Sequence, residues 1–157
     1  QRIVIPVGYA GGYAAFGIKA THAGWKYKAP GIRLLSFSLE GEKELKRVET
    51  GRYQLDLVDL SDIEIDEKLA LTGMELYHSA PCGSCHGGQG NNSGSGAPDL
   101  RESLSLTDFE TFKSLTKDGL LVDNGMPKFD DLADNEIKAI YEYLRQRTKI
   151  AAADLKS

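Results

Sequence analysis

The chain has 157 residues, of which 41% are hydrophobic and 27% charged, a balance typical of a folded globular domain and far from the disordered range. No apolar run approaches the roughly 18 residues that a membrane-spanning helix needs, and no Lys/Arg-led apolar segment at the start reads as an export signal. A formal net charge of −4 and a pI near 5.4 exclude a general nucleic-acid binder. The charge is uneven: residues 1–60 hold nine Lys/Arg against six Asp/Glu, and residues 61–157 hold ten against seventeen. Two segments of opposite sign read as two structural units. The first residue is Gln1 with no Met before it, which reads as a processed or excised product.

In chain order, Ile3-Val4-Ile5 and residues 34–39 read as strands, the second alternating Leu35, Phe37 and Leu39 with Ser36, Ser38 and Glu40. Between them lies a Gly-, Ala- and Tyr-rich stretch with His22 and the single Trp25, without a clear period. Two strands are too few for an independent domain, so residues 1–41 read as a small β-containing extension and the charged residues 42–65 as a linker. Residues 66–79 read as a first helix, with Leu69, Gly73, Met74 and Tyr77 at helical spacing. Met74 reads as a core side chain there and His78 as a surface polar residue. A Gly/Asn/Ser-rich loop follows over 87–96. Thr107-Asp108-Phe109-Glu110 has the pattern of a capping box opening a second helix that ends near Gly119. Asp130 and Asp131 read as solvated loop charges. Ile137, Ile140, Tyr141 and Leu144 give a last helix, over about 134–147, with one apolar face. The expected class is mainly α.

The two cysteines carry the chemistry. Cys82 and Cys85 stand in Pro81-Cys82-Gly83-Ser84-Cys85-His86, too close together to staple a fold of this length. A redox pair of the thioredoxin kind wants a βαβ setting that does not surround them. A zinc site would have to be completed by His22, His78 or His86 at the wrong spacing. The third reading is covalent haem, for which Cys-x-x-Cys-His is the attachment pattern: each thiol adds to one porphyrin vinyl group and the following His reaches the iron. A low-spin electron-transfer haem needs a second strong ligand, and Met126, in Asn124-Gly125-Met126-Pro127, is the candidate. Gly125 lets the backbone come close, and Pro127 fixes the presenting loop. No Ser/His/Asp or paired-carboxylate arrangement points to hydrolysis.

Taken together, the Cys82–His86 run, Ala97-Pro98-Asp99-Leu100, Gly125-Met126-Pro127 and Ile137…Tyr143-Leu144 resemble the class I c-type cytochromes over residues 66–150. That resemblance implies a helical fold around one covalent haem c, thioethers at Cys82 and Cys85, and axial ligation by His86 and Met126. It further implies a Pro98 carbonyl that orients His86, and contact of Gly73 and Tyr77 with the closing helix near Ile140 and Tyr143. Arg101 is a candidate partner for a haem propionate. Ala133 stands where such proteins often cap the final helix with Ser or Thr, and Asp134 is expected to serve instead.

The first part is similar to the end of the propeller in quinohaemoprotein alcohol dehydrogenases, on Val7-Gly8-Tyr9-Ala10-Gly11-Gly12 and Arg33-Leu34-Leu35-Ser36-Phe37-Ser38-Leu39-Glu40-Gly41. The implied organisation is a propeller tail (1–41), a linker (42–65), a cytochrome c domain (66–150) and a C-terminal tail (151–157). On this reading the chain is the electron-transfer end of a dehydrogenase. PQQ, its metal ion and the substrate site would lie in a propeller outside the sequence, which would be the electron donor. The acceptor would be an external cytochrome, copper protein or oxidase, and the compartment a bacterial periplasm. The alternative is a free-standing periplasmic carrier cytochrome with an N-terminal arm; a haem peroxidase or ligand sensor would require Met126 to leave the iron.

Overall fold

The apolar spacing at 137–144 and the strong helix formers around it produce α4, the longest element. In a computed structural model that describes residues 2–7, 33–44, 55–91 and 97–156, α4 spans Asp134–Asp154 and follows α1 (Glu67–Ser79), α2 (Cys82–His86) and α3 (Phe109–Lys113). One-turn 3-10 helices at Leu100–Glu102, Leu104–Thr107 and Val122–Asn124, and a wider turn at Ser114–Asp118, fill the connections. Strands β1 (Arg2–Val7) and β2 (Arg33–Ser38) pair antiparallel, with Ile3 opposite Phe37 and Ile5 opposite Leu35. His22, Trp25 and the Gly-rich stretch around them lie outside the described residues, as do residues 45–54 and 92–96.

The core forms where α1 crosses α4. Tyr77, Leu106, Phe112, Ile137, Ile140, Tyr141, Tyr143 and Leu144 make one buried cluster. Gly73 is the close-approach residue: a methyl on it would lie 1.9 Å from the Ala139 carbonyl oxygen and 2.9 Å from the Ile140 nitrogen. The expected meeting of Gly73 and Tyr77 with Ile140 and Tyr143 is therefore present, the Tyr77 and Tyr143 rings lying 5.3 Å apart. The single apolar face expected of α4 is too modest a description. Every residue from Ala139 to Leu144 is buried, Glu142 included. The charge of Glu142 is met by Arg145 at 2.8 Å, and the Arg145 guanidinium lies 4.7 Å over Tyr141. Segment 55–65 accounts for part of this covering: Leu60 joins the core, Val58 and Ile63 pack against it, and Lys149 Nζ donates to the Ile63 carbonyl at 2.7 Å. The end of the expected linker is thus structurally part of the helical body.

Other boundaries moved for local reasons. Thr107 does not cap α3; it closes the preceding 3-10 turn, and Asp108 is the cap, accepting from the Thr111 N–H at 2.8 Å. Asp134 does not cap α4 either. The cap position is Ala133, whose N–H is accepted by Glu136 at 2.8 Å, half of a capping box. Asp134 instead receives Lys113 at 2.9 Å and Lys117 at 2.5 Å. α4 runs to Asp154, past the expected 147, because Ala151-Ala152-Ala153 continue it and neither Gly nor Pro stops it. Met74 is 39% exposed, so it is not a core residue. The hairpin leaves Ile3, Val4, Ile5, Leu34 and Phe37 exposed, Leu34 by 73%; its alternation does not produce a buried face among the described residues.

Candidate haem attachment site

The attachment run is held between two helices and a loop. α1 opens at Asp66, whose carboxylate accepts from the Leu69 N–H at 2.9 Å. Its last turn closes with the Ala80 N–H on the Leu76 carbonyl. Pro81, lacking an N–H, cannot extend that ladder, and the chain re-forms a single turn, α2, with Ser84 N–H on the Pro81 carbonyl at 3.0 Å. Cys82, Cys85 and His86 share this turn, Cys82 half-buried and Cys85 exposed, and neither cysteine is in a disulfide. Burial pushes the Cys82 thiol up to about 11, so it stays protonated at neutral pH.

His86 is 8% exposed, and its Nδ1 lies 2.9 Å from the Pro98 carbonyl. A carbonyl can only accept, so Nδ1 carries the hydrogen and Nε2 keeps its lone pair for an electrophile. Burial holds the imidazole below its ordinary pKa, opposed by the Pro98 bond and the charge of Asp99, and the neutral form is the one a metal can use. Pro98 is itself held by the turn that begins at Asp99. Asp99, 3% exposed, accepts from the Arg101 backbone N–H at 3.0 Å, from Arg101 Nε at 2.9 Å and from its terminal nitrogen at 2.7 Å. The Leu100 N–H reaches the Gly90 carbonyl at 2.7 Å. Arg101, expected as a propionate partner, thus gives two side-chain nitrogens to Asp99. Asp99 was not singled out as a functional residue from sequence; its signal was a carboxylate two residues before an arginine at the start of a 3-10 turn.

Tyr77 does not point a polar group into open space. It is fully buried, and its hydroxyl donates to the Gly87 carbonyl at 2.7 Å. His78 is exposed and stacks edge-on against Tyr77, as a surface residue would.

Met126 and Pro127 sit on a separate loop. The 3-10 turn Val122–Asn124 ends at Gly125 with φ +90°, and a side chain there would meet nothing within 4 Å. The loop is tied down by the Met126 N–H on Leu121 at 3.1 Å and the Phe129 N–H on Thr116 at 3.1 Å. Met126 is half-buried, and beside it in sequence Leu120 and Val122 are exposed. Asp130 is exposed and pairs with Lys128 at 2.9 Å. Among the described residues no group of three or more His, Cys, Asp or Glu could hold a metal ion, and no helix is long and apolar enough to cross a membrane.

Comparison with known proteins agrees with this arrangement. The family described as cytochrome C oxidase, cbb3-type, subunit III matches residues 68–144. Lupanine 17-hydroxylase [cytochrome c] of a Pseudomonas species is 29% identical over 147 residues, covering 94% of this chain and 20% of its own length. Quinohemoprotein alcohol dehydrogenase ADH IIB of Pseudomonas putida is 32% identical over 152 residues, 94% of this chain and 21% of its own. The dehydrogenase subunit of the quinone alcohol dehydrogenase of Gluconobacter oxydans (strain 621H) is 29% identical over 150 residues, covering 94% and 19%. The chain therefore spans about a fifth of the length of these curated relatives. With the Cys-x-x-Cys-His turn, the oriented histidine and the crossed helices in place, residues 68–144 belong to the c-type cytochrome domains of the cbb3 subunit III type, and 94% of the chain is homologous to part of a quinohaemoprotein alcohol dehydrogenase and of a lupanine hydroxylase.

Proposed function

We propose that this chain is the one-electron relay of a quinohaemoprotein (PQQ) alcohol or sugar dehydrogenase. It would hold one haem c through Cys82 and Cys85, with His86 and Met126 as axial ligands. The residues fit that group. Both thiols stand in one helical turn outside any disulfide. The His86 ring is turned so that its hydrogen-bearing nitrogen meets Pro98 and its lone pair is left for iron. The main chain at Gly125, beside Met126, is uncovered, and the exposed Leu120 and Val122 offer apolar surface to a macrocycle.

Bound there, a haem supplies a one-electron iron couple. The protein's part is to hold and tune. The Pro98 carbonyl fixes the tautomer and raises the basicity of His86. The Met126 thioether, as the second residue holding the iron, would give a higher potential than a second imidazole. Held by both His86 and Met126, the iron would offer no open position to oxygen, peroxide or substrate. The observation that carries the reading is the 2.9 Å contact from His86 Nδ1 to Pro98 in a Cys-x-x-Cys-His turn.

The relatives match through 94% of the chain, which supports the dehydrogenase reading for the first sixty residues over that of a carrier with an unrelated arm. On this reading residues 1–41 are the closing strands of the dehydrogenase body, 42–65 the connection, 66–150 the cytochrome and 151–157 its tail. A reduced quinone in that body is the donor, an external cytochrome, copper protein or oxidase the acceptor, and the periplasm the site of action. A short tether keeps the donor at high effective concentration, so the donor interface need not be strong.

The test is the protein produced with haem-maturation machinery. Its intact mass should show one haem adduct, and the oxidised form should show the weak Met–Fe band. Met126→Ala should lower the potential and open the iron to added imidazole. A colourless product, or a Met126→Ala spectrum identical to the parent's, overturns the assignment.

A further inference from the structure

A helix of five residues cannot hold its own shape in water, since nucleation costs more than one turn returns. α2 therefore takes its geometry from what grips it. On the far side of His86 the grip is made by two tyrosines from different helices. Tyr77 of α1 donates to the Gly87 carbonyl at 2.7 Å, and Tyr143 of α4 donates to the Gly88 carbonyl at 3.0 Å. These are the two residues directly after His86. The Gly87 carbonyl also accepts the Gly90 N–H at 3.1 Å, so both of its lone pairs are used. Both rings are buried and lean on each other at the α1–α4 crossing.

Phenylalanine would supply the same packing. A buried hydroxyl is costly unless bonded, and here both hydroxyls are bonded to one stretch of main chain. Burial also holds the Tyr77 phenol far above its usual pKa, so it remains a donor at any working pH.

We propose that Tyr77 and Tyr143 are positioning residues for the His86 imidazole, their hydroxyls fixing the backbone immediately after it as the Pro98 carbonyl fixes the ring. Pro98 sets the rotation of the ring, and the tyrosine pair sets where its Cα stands and how far the turn can tilt. The fit of the two crossing helices is thereby coupled to the electronic setting of the site. The inference rests on the reading of His86 as an iron ligand.

The test uses the full haem-loaded chain with Tyr77→Phe, Tyr143→Phe and the double substitution. Tyr141→Phe, on the same helix but packed against Phe109 and Phe112, is the control. Amide exchange at Gly88 to Gly90 should quicken by about fivefold in each single variant and about thirtyfold in the double variant, the scale of one and of two lost hydrogen bonds. The reduction midpoint and the ferric spectrum should shift with it. Tyr141→Phe should move the melting temperature alone. Phenylalanine variants that lower the melting temperature but keep parental exchange and midpoint overturn the proposal, for the hydroxyls are then merely structural. Should the double variant fail to fold, Tyr143→Phe alone gives the same readouts. Failure of the underlying reading is seen separately, in a parent protein without a histidine-ligated haem.

Discussion

Substituting Gly73 by alanine puts the helix crossing under direct strain. The added methyl would lie 1.9 Å from the Ala139 oxygen, 2.4 Å from its carbonyl carbon and 2.9 Å from the Ile140 nitrogen, where ordinary contact begins at 3.4 Å. All three obstacles are main chain, so no side chain can swing aside and trimming Ala139 to glycine gives no relief. α1 and α4 must separate by about 1.5 Å, a gap that forfeits about half of the attraction across it. If three or four leucine-sized side chains lose that share of their roughly 1.5–3 kcal/mol of burial, the loss is about 2–6 kcal/mol. Better helix propensity returns about 1 kcal/mol. The net, about 1–5 kcal/mol, should lower the melting temperature by roughly 5–30 °C. Urea titration of the parent and Gly73→Ala proteins measures it. A variant within about 0.5 kcal/mol of the parent, the range of an ordinary surface change, would refute the close crossing.

Removing Glu142 strands a guanidinium whose Nε already lacks a partner; Glu142→Ala should cost about 3–5 kcal/mol by urea titration, whereas replacing Glu142 and Arg145 together by methionine should be near neutral. Asp134, held by Lys117 and Lys113 at about 2, has a folded pKa below its unfolded one. Its contribution is therefore present above about pH 4 and lost as the pH falls toward 2; the melting gap between parent and Asp134→Asn should be open at pH 6 and closed at pH 2. At Gly125, φ is +90° with open space around the missing side chain, so the penalty is conformational and not a clash. Gly125→Ala should cost about 1–2 kcal/mol and Gly125→Asn less, because asparagine tolerates the left-handed region; equal losses on thermal melting would contradict that.

Much of the site was legible because its chemistry is written in contiguous residues. Cys82, Cys85 and His86 share one turn, as their spacing implies, whereas Met126 stands on a separate loop. The α1–α4 crossing was legible through periodicity and one glycine. What sequence could not supply was tertiary. Nothing local shows that Leu60, read as linker, completes the core. The caps slipped by one residue because Asp108, not Thr107, meets the Thr111 N–H, and because Glu136 turns back onto the Ala133 N–H. Alternation at 34–39 correctly marked a strand but carried no information about what would cover it.

The pairing of α1 with α4 also governs the order in which the molecule can take shape. The two helices meet across some sixty residues of intervening chain, a long loop to close before any contact rewards it. Until α4 has been synthesised, α1 has no surface to dock on and the tyrosine grip on Gly87 and Gly88 lacks its second finger. The Cys-x-x-Cys-His turn therefore emerges from the ribosome long before the element that will immobilise it, and stays an accessible, pliable segment throughout that interval.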